Sequence, residues 1–444
     1  NTPDAHAPTS FRGDEAGGTN SLGDLDWWQL FQDSALQSLI RTALTNNYDL
    51  RQAAARVEIA RSILAQNRSF YYPQLGYEGA SGGGRNVVGG LPSDTGKGVG
   101  KASEVAGTVS WEIDLWGRLR RLNESARAQY LATEEARRNV VITLISGVAQ
   151  AYFQLLVLDE ELAIAQDATN SFGQSLRLFN DRLQHGVASK LETSSAEAVL
   201  ASAAATIPEI RRQIVFQENQ IRVLLGQNPG PVVRTARGLR TATLPEIPPG
   251  LPSALLVRRP DVRQALQLLQ SANAQVGVAK ANFYPRISLT GLFGAASPDL
   301  VPFTSGTVGA WALAGNLAGP IFQGGLLKGQ LHQAQATWDA ARFQYQSIVL
   351  NALQEVSDAL VSRQELADAR REQERAVVAY EGAVQVANQR YVAGQASYYE
   401  LLQEQQQLFP AENALAQTRL NQLLATVQLY KALGGGWNAA PAMR

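Results

Sequence analysis

The chain contains no cysteine. A structural disulfide, a Cys-ligated zinc site and a thiol nucleophile are therefore excluded. Charge is also scarce: Asp, Glu, Lys and Arg make up 18% of the residues, with 39 of each sign and a formal net charge of zero. The chain as a whole has no field that would gather nucleic acid or anionic lipid. The three histidines, His6, His185 and His332, are scattered and show no metal-ligand spacing. Gly90 to Gly98 resembles a phosphate loop only in part. The spacing to Gly96-Lys97 is one residue too long, and Gly98 stands where Ser or Thr is needed. No motif with a catalytic mechanism survives, so an enzyme is not expected. One stretch that could pass for a membrane-spanning helix, Val140 to Leu158, is free of charge. Its Thr143, Ser146, Gln150 and Gln154 line one helical face, which a lipid-exposed span would not need.

What is present is a large folded chain, 444 residues with 45% hydrophobic residues, enough for more than one domain. It is also a repeat of itself. Asp49–Ala53 reappears as Asp261–Ala265, and Tyr71-Tyr72-Pro73 as Phe283-Tyr284-Pro285. Leu115–Leu119 is echoed by Phe322–Leu326, Arg182–Ser189 by Arg390–Ser397, and Leu225-Gly226 by Leu433-Gly434. The matches keep one order and an offset of 207 to 212, which unrelated helices would not preserve.

Each half reads as a helix, a short β region opened by Pro73 or Pro285, a very long helix, a Gly turn and a returning helix. The expected organisation is an arm at 1–32, a first repeat at 33–225, a Pro-rich connector at 226–252, a second repeat at 253–433 and a tail at 434–444. Strands are expected near 74–86, 103–114, 286–296 and 307–318, and long helical hairpins over 117–225 and 325–433. One helix is expected over roughly Asp33–Asn67 and one over roughly Ser253–Lys280, with Asn1–Gly23 an extended or wrapping arm rather than a packed element. Six prolines between Pro229 and Pro252 break any helix in the connector. Bends are expected at Pro208 and Pro410.

From Val141 to Leu183 the apolar positions alternate by three and four, broken only at Thr169, which is coiled-coil spacing. The β regions alternate by two. Val105, Gly107, Val109, Trp111 and Ile113 share one face, with Thr108, Ser110 and Glu112 on the other. Ile287, Leu289, Gly291, Phe293 and Ala295 do the same. Gly89–Asp94 and Ser297-Pro298-Asp299 read as hairpin tips. Segments of about ten alternating residues suit a lipid-facing barrel, and a soluble sheet with one buried face suits them equally. Tyr71, Tyr72, Trp111, Trp116, Phe283, Tyr284 and Trp311 fall in or beside these strands, and such rings favour a membrane–water boundary. Four strands cannot close such a barrel, so several chains would have to build it.

Trp27–Asp33, Ala43–Leu50, Trp111–Arg118 and Leu251–Val262 together resemble the TolC-like outer-membrane efflux proteins. Asp114-Leu-Trp-Gly-Arg118 and Arg258-Arg-Pro-Asp-Val262 are similar to its lipoprotein branch, which serves resistance–nodulation–division pumps. The resemblance spans about Trp27 to Leu433. It implies a mainly α fold with a transmembrane β-barrel: a homotrimeric α-barrel/β-barrel duct in the outer membrane of a Gram-negative bacterium, extending far into the periplasm. Its partners would be a periplasmic adaptor and an inner-membrane pump, which supplies the energy, so the resemblance implies no cofactor. Arg182, Gly186, Ser189, Arg390, Gly394 and Ser397 would form adaptor-docking tips. Tyr391 matches a tyrosine of the periplasmic aperture. Gln403 stands where relatives often carry an acid, with Glu404 next, so either residue is a candidate for the gate. The branch implies a lipid anchor on an acylated Cys at the head of the mature chain; this sequence starts at Asn1, so the expected anchor is a Cys that preceded Asn1 and is absent from the sequence. A protein-exporting duct of the same family and a soluble coiled-coil scaffold stand as alternatives.

Overall fold

The computed structural model describes residues 11, 21–84, 87–88, 91–92, 100–235, 238–241, 245, 252, 255–297 and 308–435. Residues 89–90, 93–99 and 298–299, which hold most of the two expected hairpin tips and the partial phosphate loop, lie outside them.

The repeat is written in element lengths. Helix α1 covers Ser34–Asn46 and α2 covers Tyr48–Ser69. Strands β1 (Gln74–Gly84) and β2 (Gly100–Ile113) follow. Then come α3 (Arg118–Gln184) and α4 (Lys190–Leu224). The second half contains α5 (Pro260–Ala281), β3 (Arg286–Ser297), β4 (Val308–Ala318), α6 (Leu326–Val392) and α7 (Tyr398–Ala432). The long helices α3 and α6 each have 67 residues, the returning helices α4 and α7 each 35, and α2 and α5 each 22. At 1.5 Å per residue the long helices extend about 100 Å. Glycines with positive φ fall in matching places: Gly117 and Gly325, Gly186 and Gly394, Gly226 and Gly434. Each pair is 208 positions apart. The equivalents at the strand-to-helix turn are thus Gly117 and Gly325, not the Gly117 and Gly324 that the motif alignment pairs.

One expectation about helices is corrected. The first helix of each half is broken. Asn47 ends α1, and its side chain accepts from Leu50 N (2.9 Å) and donates to Leu224 O (3.0 Å). Pro260 opens α5 after a short helix at Leu255–Arg258, because proline suits a first helical turn and breaks an interior one. The assignment of α4 and α7 as helix runs on through Pro208 and Pro410.

The chain forms two compact units. One comprises 1–54, 135–263 and 346–444. Its core gathers Phe31, Tyr152, Phe153, Leu155, Val356 and Tyr430. The three-four series of α3 supplies much of it through Leu144, Val148, Ala151 and Leu155, and farther along the same series Ala165, Phe172 and Phe179 are also buried. Thr169 breaks the series without leaving an orphan, since its hydroxyl donates to Ala165 O at 2.7 Å. The apolar window of α3 is long enough to cross a bilayer, yet 67% of it is buried inside the protein. Phe11 and Leu22 are buried in the same core, so the described part of the N-terminal stretch packs rather than lying free. The connector is pinned by ion pairs from Arg234 to Asp159 (2.7 Å) and Glu218 (2.9 Å) and from Arg240 to Glu160 (2.5 Å). Thr235 and Tyr152 both donate to Asp33 Oδ2, at 2.7 and 3.0 Å. In the Arg258-Arg259-Pro260-Asp261 motif, the buried Arg259 pairs with Asp261 and Glu355 and caps the carbonyl of Ala432 at 2.9 Å. The motif therefore closes the end of α7.

The other unit comprises 55–134 and 264–345. Its sheet is antiparallel, in the order β1-β2-β3-β4. Gly107 opposes both Tyr77 and Phe293, and Phe293 opposes Trp311. Asp114 accepts from the backbone N–H of Leu119 (3.0 Å) and Arg120 (2.8 Å), satisfying the open end of α3. Arg118 clasps Glu112 through two bonds of 2.7 and 2.8 Å. The Asp114–Arg118 motif is thus the elbow that turns strand into helix.

Candidate functional site

The sheet has two unlike faces. One carries Leu75, Tyr77, Val105, Val109, Trp111, Ile113, Phe293, Trp311, Leu313 and Leu317. The other carries Gln74, Glu78, Thr108, Ser110, Ser288, Thr290 and Asn316, with Leu292 and small residues between. A soluble sheet would bury the first face. Here Tyr77 is 91% exposed, Phe293 77%, Trp311 78% and Leu313 76%. A contiguous apolar face of this kind is a surface made for lipid or partner, not for water. The strands run 11 to 14 residues, long enough to cross a bilayer at a tilt. Among the described residues, no strand lies beyond the outer edges of β1 and β4 in the sheet.

The expected boundary aromatics gather at the base of this sheet. Trp116 stacks on Tyr284 with ring centroids 4.8 Å apart and donates its indole N–H to Pro285 O at 2.7 Å. Trp111 donates to Tyr71 O at 3.0 Å. Tyr72 and Phe283 are exposed on the same two turns. Trp311 lies instead within β4, opposite Phe293. Tyr77 and Phe293 belong with it, and sequence reasoning left both out of the site. The glycines around Tyr77 hid the alternation of β1.

The helical tips are built from a shared turn and unlike side chains. At the first tip, Gly186 N donates to Leu183 O (3.0 Å) and Val187 N to Arg182 O (2.9 Å). At the second, Gly394 N donates to Tyr391 O (3.1 Å) and Gln395 N to Arg390 O (2.8 Å). These are two Schellman closures, which need the left-handed glycine. Val187, Leu191, Val392 and Tyr399 are exposed around them. Ser189 accepts from Glu192 N (3.2 Å) and Glu192 accepts from Ser189 N (2.6 Å), a complete capping box. Ser397 starts α7 with no side-chain cap bond, and Glu400 instead pairs with Arg390 at 3.0 Å.

Behind the tips lies a second buried cluster that includes Phe179, Tyr391, Tyr398, Leu401 and Leu402. Tyr391 is 3% exposed. Its hydroxyl accepts from Arg182 Nη1 at 2.6 Å, and the guanidinium sits 4.4 Å from its ring centroid. Phe179 lies 3.7 Å from Tyr398 and 6.0 Å from Tyr391. Burial pushes the Tyr391 hydroxyl up against the pull of Arg182, and pushes Tyr398 up to about 12. The structure therefore joins Arg182 and Tyr391, which the sequence had assigned to separate sites. Gln403 is exposed and Glu404 half-buried on α7. Gln405, which the sequence did not single out, donates to Ser171 Oγ at 3.1 Å and binds Ser175 at 3.4 Å, tying α7 to α3.

Comparison with known proteins agrees with this geometry. The chain matches the outer membrane efflux protein family over residues 39–227 and 251–435, one segment in each half. It is 36% identical over 413 residues to the probable efflux pump outer membrane protein TtgC of Pseudomonas putida, covering 93% of this chain and 85% of that protein. It is 33% identical over 412 residues to the cation efflux system protein CusC of Escherichia coli, covering 93% and 88%. Among solved structures, the outer-membrane channel OprN superposes with a TM-score of 0.91 at 29% identity, covering 98% of both chains. The open state of the Neisseria gonorrhoeae MtrE channel superposes at 0.88 with 30% identity, covering 98% and 97%. These relatives are channel and efflux proteins of the outer membrane, and the soluble scaffold is set aside. The chain belongs to the outer membrane efflux protein family and is an outer-membrane channel of an efflux system.

Proposed function

We propose that three copies of the chain close into one duct, which passively conducts small molecules delivered by an inner-membrane resistance–nodulation–division pump through a periplasmic adaptor. The open, apolar-faced sheet carries this reading. In hydrocarbon, the unpaired N–H and C=O groups along β1 and β4 must find partners. The four strands alternate in direction, so β4 of one copy meets β1 of the next antiparallel. Three copies give twelve strands with no edge, a size within the range of membrane barrels. The polar face, with Thr108, Ser110, Ser288, Thr290 and Asn316, then lines the lumen.

The tips dock the adaptor through Arg182, Gly186, Ser189, Arg390, Gly394 and Ser397, with exposed Val187, Leu191, Val392 and Tyr399 adding apolar contact. Tyr391, Gln403 and Glu404 act at the periplasmic aperture. The burial of Tyr391 against Arg182 makes it a latch between the two hairpins rather than a free ring. The energy comes from the pump, and selectivity lies with it.

Disulfide trapping tests the closure. The native chain has no cysteine, so Tyr77→Cys in β1 can be combined in turn with cysteine at Gly309, Trp311, Leu313 or Gly315 in β4. At one register, oxidation should give two- and three-chain species and nothing larger. Absence of intermolecular bonds at all four registers, in protein that keeps its β-sheet signal, would refute the closed barrel.

A further inference from the structure

The base of the sheet holds cations that the barrel does not use. Arg68 lies in the last turn of α2 and Lys280 in the last turn of α5. They are equivalent positions of the repeat, 212 apart. Each carbonyl closes the turn that follows: Tyr71 N donates to Arg68 O at 3.1 Å, and Phe283 N to Lys280 O at 3.2 Å. Each turn thus carries one cation and two aromatic residues, Tyr71-Tyr72 or Phe283-Tyr284, directly below a strand with a lipid-facing side. Lys328, in the first turn of α6, is the repeat partner of Arg120 in α3.

These cations differ from their neighbours. Arg118, Arg120 and Arg121 are matched by Glu112, Asp114 and Glu124. Arg68, Lys280 and Lys328 are exposed and make no ion pair among the described residues. Arg286 is also exposed, but it falls on the polar face of β3 with Ser288 and Thr290 and is set apart. The chain is neutral overall, yet its surplus of positive charge at this level sits beside the rings that mark the bilayer boundary. Long cationic side chains there keep their stems along apolar surface and their heads at headgroup depth.

We infer that Arg68, Lys280 and Lys328 form a headgroup-binding girdle at the strand-to-helix elbows, selective for the phosphate of anionic phospholipids such as phosphatidylglycerol over zwitterionic phosphatidylethanolamine. The inference rests on the sheet being the bilayer-embedded part. A cation near an anionic membrane surface contributes about 1 kcal/mol, or about fivefold in lipid affinity. Two copies of the cation–aromatic turn per chain make the girdle a product of the repeat.

The test is native mass spectrometry of the full detergent-extracted protein supplied with equal phosphatidylglycerol and phosphatidylethanolamine. Wild type should retain several-fold more phosphatidylglycerol. Arg68→Gln/Lys280→Gln/Lys328→Gln should lose the preference while keeping its assembly mass. Inorganic phosphate at millimolar level should not displace the lipid, because the rings hold the glycerol and chains. Equal retention of the two lipids by wild type, or an undiminished preference in the triple variant, overturns the inference. Should the variant fail to assemble, salt decides: the wild-type preference must fall as ionic strength rises from about 50 to 500 mM, where screening shortens below 10 Å, and a salt-independent preference refutes it. A protein that retains neither lipid and needs no detergent would instead overturn the embedded sheet itself.

Discussion

The two helical tips share a backbone and differ in how their charges are spent. Both close on a glycine near φ +72, and both follow it with Ser-x-x-Glu, as Ser189–Glu192 and Ser397–Glu400. In the first tip the glutamate caps its own helix, which leaves Arg182 free to cross to Tyr391. In the second tip Arg390 takes the glutamate, and no box forms. One repeat is locally self-sufficient, and the other is held by the contact that the first repeat lends it. Duplication supplied the turn, and divergence of the residue at 183 or 391, Leu or Tyr, supplied the link between hairpins.

Removing that link should have the largest effect. Tyr391→Ala empties a buried aromatic site and should cost about 3–5 kcal/mol locally. Hydrogen exchange should speed up over residues 386–400 far more than over 178–192, and resting conductance should rise. Equal exchange at the two tips would break the asymmetry. Next comes the shared turn. Gly186→Ala and Gly394→Ala each force alanine into left-handed backbone with no neighbour within 4 Å of the new methyl. Each should cost about 1–2 kcal/mol from backbone strain alone, read as matched drops in thermal midpoint. A smaller effect separates the caps. Ser189→Ala should cost about 1 kcal/mol, whereas Ser397→Ala should leave stability unchanged, because only Ser189 makes the cap bond. The smallest effect at working pH is alkaline. Tyr398 is held up to about 12 by burial and by Tyr391. Its folded form keeps a proton that the unfolded form loses near pH 10, so this stability is full below pH 10 and disappears as pH rises through 12. The thermal midpoint should fall in that window, and Tyr398→Phe should reduce the fall, leaving the part that Tyr391 carries.

Much of this was legible in sequence because it obeys local periods. The alternation of Val105–Ile113, the three-four series of α3 and the glycines at 186 and 394 each mark structure within a few residues. The Asn47 break was harder to read, because a single capping residue barely disturbs an apolar period, although an asparagine pair was there to be noticed. The pairing of Arg182 with Tyr391 was not legible. It joins residues 209 positions apart, and no local pattern says which arginine of two equivalent ones turns inward. Tyr77 escaped for the opposite reason: its strand is so rich in glycine that one face has few side chains to show an alternation.

The central claim is a bilayer channel made of three copies, and native mass spectrometry of detergent-extracted protein followed by planar-bilayer recording tests it most directly. The account predicts a particle of three times the 47.9 kDa chain mass that precipitates without detergent and conducts ions in a bilayer. A single-chain particle, stable in plain buffer and without conductance, would contradict it.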